Sequence, residues 1–182
     1  MTTDGTTVDT RTASTKLAFC GLYCGACPLF LATEAGTLEA EASRGISAEQ
    51  LRCLGCRSDE VSVYCLNCSM KKCASGQGLV SCADCADFPC RVLKAFDADG
   101  YPPHRGAVRS LRACAAGGIE SWLRAQAGRF ACRGCGRALS HQDRACPTCG
   151  RASAECGAWP ERGEASGGAE PQAASATRSR SR

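Results

Sequence analysis

YCLNCSMKKCASGQGLVSCADCADFPC, residues 64–90, decides how this chain folds. Cys65-x2-Cys68-x4-Cys73 recurs 17 positions later as Cys82-x2-Cys85-x4-Cys90. Two thiolates three positions apart can meet one metal ion from a single tight turn, and two such turns complete a tetrahedral shell. The same spacing occurs at Cys24/Cys27, Cys53/Cys56, Cys132/Cys135 and Cys146/Cys149, six pairs in 182 residues. Cys20-x3-Cys24-x2-Cys27 forms a third triplet, with its extra cysteine on the other side. Eleven of the 17 cysteines thus lie between Cys20 and Cys90.

Aromatic residues make up only 5% of the chain. A small, poorly aromatic core is marginal by burial alone. A structural zinc site contributes about 10–16 kcal/mol of apparent stabilisation, against a net stability of about 5–15 kcal/mol for a typical domain. Metal therefore decides whether this chain folds. Disulfides are the competing use of so many cysteines. The opening MTTDGTTVDTRTAST has no apolar signal region, and no run approaches the roughly 20 apolar residues of a membrane span. The expected compartment is a reducing cytoplasm, where CxxC spacing reads as metal. The formal charge of +4 does not argue for nucleic acid. Each zinc held by four thiolates carries a net −2, so three sites would turn residues 16–156 from +4 to −2.

The helical signals lie between the cysteines. Pro28 suits a first helical turn. It opens a helix-friendly stretch through Leu29, Phe30, Leu31, Glu34, Leu38 and Glu39 that Gly45 can stop. Ser47 can cap Ala48–Arg52. Pro89 can open a helix with Val92, Leu93 and Phe96 on its apolar face. Two more helices are expected over 103–128, broken at Gly117-Gly118, with Val108, Leu111 and Ala115 on one stripe and Ile119, Trp122, Leu123 and Gln126 on the next. Arg105, Arg109 and Arg112 fall on one helical face. They could bind phosphate, and a solvated face is the favoured reading. Cys114 reads as a small buried residue and Cys156 as a free thiol.

FACRGCGR and ACPTCGR are two Cys-x2-Cys-Gly knuckles, with ten residues between Cys135 and Cys146. The glycine after each second cysteine permits the positive φ that turns backbone amides toward the thiolates. This is the pattern of a rubredoxin-type zinc ribbon. Its four cysteines leave no open position, so the site reads as structural. His141, in the loop between the knuckles, is expected to be an exposed polar residue.

Eleven cysteines do not divide by four. Two four-cysteine sites and one three-cysteine site are one arrangement, with Cys24/Cys27 joined to Cys53/Cys56 and Cys65/Cys68 joined to Cys82/Cys85. Cys20, Cys73 and Cys90 would then form the third site or replace ligands elsewhere. His104 could fill a vacancy there, although a surface position at a helix start is favoured. The Cys20–Cys27 spacing is that of the radical S-adenosylmethionine cluster loop. The chain shows no series of βα units for the barrel such enzymes need, which usually takes about 200 residues or more. A thiol–disulfide oxidoreductase would need one CxxC at a helix start in an αβ fold, and six pairs argue for metal instead.

CGLYCGACPLFLA, CLGC, YCLNCSMKKCA and CADCADFPC together resemble the cysteine-rich family catalogued as domain of unknown function 3795. The resemblance spans about residues 17–128. GGIESWLRAQAGRFACRGCG is similar to members that add a C-terminal ribbon, although CRGCG stands here for the more usual CPxCG. The resemblance implies a small bacterial or archaeal metal-binding protein with no assigned reaction.

The expected fold is therefore a small, metal-stapled, mainly α, cysteine-rich domain over 16–128, then a zinc ribbon, a small β unit, over 130–151. Disordered tails are expected at 1–15 and 157–182. The expected metal ligands are Cys20, Cys24, Cys27, Cys53, Cys56, Cys65, Cys68, Cys73, Cys82, Cys85, Cys90, Cys132, Cys135, Cys146 and Cys149. Zinc would fill about three sites, or four, with no catalytic residue, and an iron–sulfur cluster in the N-terminal unit is the alternative. The expected role is a protein- or nucleic-acid-contact module without a membrane. The alternative is a redox or metal-handling protein with an open three-cysteine site.

Overall fold

Three helices of this protein start directly after a cysteine. In the computed structural model, which describes residues 15–42 and 45–156, Cys27 caps α1 (Pro28–Ala35), Cys68 caps α3 (Ser69–Gly76) and Cys90 caps α4 (Arg91–Asp97). The remaining helices are α2 (Ala48–Leu51), α5 (Ala107–Gly117) and α6 (Ile119–Arg129), with short 3-10 turns between. The unpaired amides and positive end of a helix N-terminus favour a thiolate there. Cys27 uses this directly, since its sulfur accepts the amides of Leu29 and Phe30. The architecture is mainly helical, as the spacing predicts. The expected tails lie outside the described residues, Thr15 excepted, and so does the Cys156 side chain.

Three boundaries differ from the sequence reading. The helix opened by Pro28 stops at Gly36, in the left-handed region at φ 68°, rather than running toward Gly45. Pro89 follows a cis bond to Phe88 and stands outside α4, which starts after Cys90. On α5 the buried stripe is Ala107, Leu111 and Cys114, and Ala115 is exposed. The expected cap at Ser47 is present, with Ser47 and Gln50 exchanging hydrogen bonds as a capping box.

The main core packs Met70 of α3, Leu93 of α4 and Leu111 of α5 around Ala18 and Cys20, with Cys24, Cys56, Cys68, Cys82 and Cys90 against them. Cysteine is thus much of the core itself. A second cluster joins Leu17, Cys114 and Trp122. A third joins Ala32, Leu38 and Leu51 beneath α1 and α2. Thr33 carries α1 to the next cysteine turn, donating to Leu29 O at 2.7 Å and accepting from the Cys53 amide at 3.0 Å.

Gly21 ties the first cysteine turn to α5 and α6. Trp122 Nε1 donates to Ser110 Oγ at 3.1 Å, and Ser110 Oγ donates to Gly21 O at 2.7 Å. Gly21 has φ 86°, and a Cβ there would lie 2.6 Å from Leu111 Cγ and 2.9 Å from Ala107 O. Gly36 also has positive φ but faces open space. Both Gly→Ala changes cost about 1–2 kcal/mol for the backbone. Gly21→Ala adds overpacking, so it is expected to destabilise by about 1–3 kcal/mol more than Gly36→Ala. Urea unfolding of the metal-loaded protein, at one fixed metal concentration, checks the difference.

Candidate metal centre

The two knuckles repeat each other atom for atom at an offset of 14 residues. The Cys132 amide donates to Arg137 O and the Cys146 amide to Arg151 O, both at 2.8 Å. Gly136 (φ 76°) and Gly150 (φ 73°) turn their amides back to Cys132 O and Cys146 O at 2.8 and 2.9 Å. Each turn is closed by one isolated antiparallel bridge, Ala131 to Ala138 and Ala145 to Ala152. No longer strand forms among the described residues. The expected small β unit is thus present only as these two bridged turns.

The turns bring Cys132, Cys135, Cys146 and Cys149 together, with all four sulfurs within 4.8 Å of one another. Cys132 and Cys149 sulfurs are 3.5 Å apart, and Cys135 and Cys146 sulfurs 3.6 Å. A disulfide would place them at about 2.05 Å. A tetrahedron of sulfurs at about 2.3 Å from one ion has edges of about 3.8 Å. The group can hold a metal ion. Backbone amides supply the outer layer: Gly134 and Cys135 donate to Cys132, Thr148 and Cys149 to Cys146, Arg137 to Cys135 and Arg151 to Cys149. Burial opposes the Cys132 thiolate, but these amides and the neighbouring sulfurs bring its thiol down to about 6. Cys135 accepts the Arg137 amide, yet the Cys146 sulfur and burial push it up to about 12.

The N-terminal cysteines are arranged differently. Among the described residues, no other set of three or more Cys, His, Asp or Glu brings its ligand atoms within 4.8 Å of one another. Their charges nevertheless act on each other in groups. Cys20 feels Cys56, Cys68 and Cys82, and Cys24 feels Cys56, Cys20 and, less, Cys27. Cys65 feels Cys53 and Cys27 and, less, Cys68. Cys82 feels Cys90, Cys73 and Cys85 and, less, Cys68. Cys73, Cys82, Cys85 and Cys90 line an apolar cavity of about 160 Å³, closed by Met70, Phe88 and Leu93. Burial is the main force raising the thiols of Cys20, Cys24, Cys27 and Cys56, and it takes Cys65 and Cys82 to about 11.

Residues 16–95 match a family model described as "Protein of unknown function (DUF3795)". This segment belongs to that family. The match ends within α4, short of the span 17–128 over which the motifs resemble it. No curated protein and no solved structure matches the chain.

Three charged neighbours of the DUF3795 cysteines are not visible in the cysteine spacing. Half-buried Arg57 donates to Leu17 O at 2.8 Å and to Val80 O, lies over the Phe19 ring at 4.2 Å, and acts on Cys56 and Cys24. Its Nη1 is buried without a partner. Lys71 adds a second positive charge at Cys56. Glu41 acts on Cys27. A basic residue directly after a CxxC was the one available signal, and only for Arg57. His104 belongs to no group of three or more ligand atoms that meet within 4.8 Å among the described residues. Its Nδ1 is engaged by Asp99 Oδ2 at 2.7 Å and its ring stacks on Phe96 at 3.7 Å.

His141 departs from its expected exposure. It is half-buried, and both its amide and its Nδ1 meet Ala26 O at 2.8 Å. The loop between the knuckles therefore folds back onto the first cysteine turn. Replacing any one ribbon cysteine, for example Cys146→Ser, is expected to remove about one metal equivalent per chain while the DUF3795 segment keeps its own. Elemental analysis of the purified variant checks this, and loss of all metal would contradict it.

Proposed function

We propose that the chain is a non-catalytic, zinc-folded contact module, built as a cysteine-rich unit over 16–128 and a zinc ribbon over 130–151. The observation that carries this reading is the closure of four sulfurs on one point in the ribbon, with sulfur–sulfur separations of 3.5 and 3.6 Å. Four thiolates fill a tetrahedral shell, which leaves no position for a water or substrate. Amides on every sulfur offset the negative charge without adding a titratable group that could act as acid or base. Thiols kept for metal suit a reducing cytoplasm. Among the described residues no helix is long and apolar enough to cross a membrane.

Within the DUF3795 segment we assign the eleven cysteines to three groups: Cys20, Cys24, Cys56 and Cys68; Cys73, Cys82, Cys85 and Cys90; and Cys27, Cys53 and Cys65. The larger electrostatic influences support this division, while smaller ones link Cys24 to Cys27, Cys65 to Cys68, and Cys82 to both Cys20 and Cys68. Cys24 and Cys27 then serve different centres, as do Cys53 and Cys56, and Cys65 and Cys68. Such sharing would lock the turns to one another. The three-cysteine group has the Glu41 carboxylate as its candidate fourth ligand.

A second reading has its own observation. The cavity of about 160 Å³ between Cys73, Cys82, Cys85 and Cys90 is room that a single four-coordinate ion does not need. Four cysteines are also the ligand set of an iron–sulfur cluster. Anaerobic purification with metal analysis, acid-labile sulfide and an absorption spectrum separates the two. A colourless protein with zinc in every site supports the zinc module. A brown protein with iron and sulfide, lost on Cys85→Ser but kept on Cys146→Ser, overturns zinc in that group. For the contact role, a titration with nucleic acid at rising salt gives the partner class. Weakening with salt is expected if phosphates are contacted, and salt-independent binding would contradict that.

A further inference from the structure

Where the cysteine-rich unit, helices α5 and α6 and the ribbon loop meet, they enclose a cleft of about 330 Å³. Three guanidinium groups line it: Arg105 before α5, Arg109 in its first turn and Arg129 in the last turn of α6. The lining contains no aspartate or glutamate. Among the described residues, none of the three arginines is paired with a carboxylate. Arg109 and Arg129 are close enough that burial and the Arg109 charge together lower the basicity of Arg129. Arg112, which the sequence places on the same face, turns instead toward the Phe88 ring at 6.0 Å.

The lining is also aromatic, and Arg129 lies over the Phe130 ring at 5.5 Å. Tyr23 stacks with Phe130 at 5.9 Å and meets the edge of Trp122 at 6.0 Å. His141 completes the cleft. A carbonyl only accepts, so the 2.8 Å contact with Ala26 O fixes the proton on Nδ1. Nε2 is then left as an acceptor in the neutral ring, buried and without a partner. Arg109 and Arg129 repel each other with no carboxylate between them, which is unfavourable on its own. An anionic ligand relieves this. Three arginines suit a dianion better than a single carboxylate, and guanidinium forks match phosphate oxygens. The aromatic side chains suit a flat ring. The volume lies at the small end of ligand pockets.

We propose that this cleft binds a small organic phosphate carrying a planar ring, of the size of a nucleoside monophosphate. Binding would clamp the ribbon against the cysteine-rich unit, because residues of both line the cleft. The site is separate from the cysteines and does not depend on which metal they hold.

The test is calorimetric titration of the full, metal-loaded chain with AMP, GMP, CMP and UMP, each beside inorganic phosphate and the parent nucleoside. At least one monophosphate is expected to bind with Kd below about 1 mM. It should bind about tenfold or more tighter than phosphate or nucleoside alone. Arg109→Ala and Arg129→Ala should each weaken it by about tenfold, the typical loss for one charged hydrogen bond. Arg109 is exposed, so Arg109→Ala should leave metal content and thermal midpoint unchanged. The proposal is overturned if no monophosphate binds in that range, or if binding survives both arginine variants. Equal binding of inorganic phosphate would reduce the cleft to a charge patch. Binding only of a single-stranded oligonucleotide, with a steep salt dependence, would assign the arginines to nucleic acid instead.

Discussion

A buried thiol is stable in this interior, and a buried thiolate is not, unless a cation stands beside it. Burial raises the thiols of Cys20, Cys24, Cys27, Cys56, Cys65 and Cys82, and Cys20, Cys24, Cys56 and Cys82 are also among the residues that fill and surround the main core. Their sulfurs repel one another as soon as more than one is ionised. A metal ion reverses both effects, since it supplies the missing charge and ties together segments remote in sequence. The protein's own provisions are partial. Helix N-termini begin at Cys27, Cys68 and Cys90, Arg57 and Lys71 approach Cys56, and amides reach the ribbon sulfurs. Each lowers the electrostatic penalty of a thiolate without removing it.

The ribbon and the cysteine-rich unit meet this constraint in different ways. In the ribbon the backbone does most of the work. Two turns with the same hydrogen bonds place four sulfurs at mononuclear spacing, and a small core of Cys132, Leu139 and Cys146 closes beneath them. In the DUF3795 segment the sulfurs of Cys20, Cys24, Cys56, Cys68, Cys82 and Cys90 pack with Met70, Leu93 and Leu111, and α1, α3 and α4 start from cysteine turns. Metal held by these cysteines would make ligation and core packing one event. Contact between the two units runs through the Ala26 carbonyl and His141, which also shape the arginine-lined cleft.

Much of this was legible in the residues. CxxC spacing is local chemistry, so the cysteine turns, the mainly helical connections and the ribbon knuckles could be read directly. Cys-x2-Cys-Gly identified the knuckles because only glycine takes the required positive φ without strain. The grouping of the eleven N-terminal cysteines was not legible, because it depends on how α1, α3 and α4 pack and not on any spacing. The end of α1 at Gly36 was missed because Leu38 continues the apolar pattern, although it belongs to a separate turn. Arg105, Arg109 and Arg112 share a face only if the helix includes residue 105, and α5 starts at Ala107. Arg129 and His141 reach the same cleft from about 20 and 30 residues away, and no sequence period links them to Arg109.

Far-UV circular dichroism of the full chain, followed while a strong chelator removes metal under reductant, tests most directly whether metal holds the fold. Helical signal should fall in step with released metal and return when zinc is restored, as expected when binding free energy is folding free energy. A metal-free, reduced chain that keeps its helical signal and a cooperative thermal transition would contradict it.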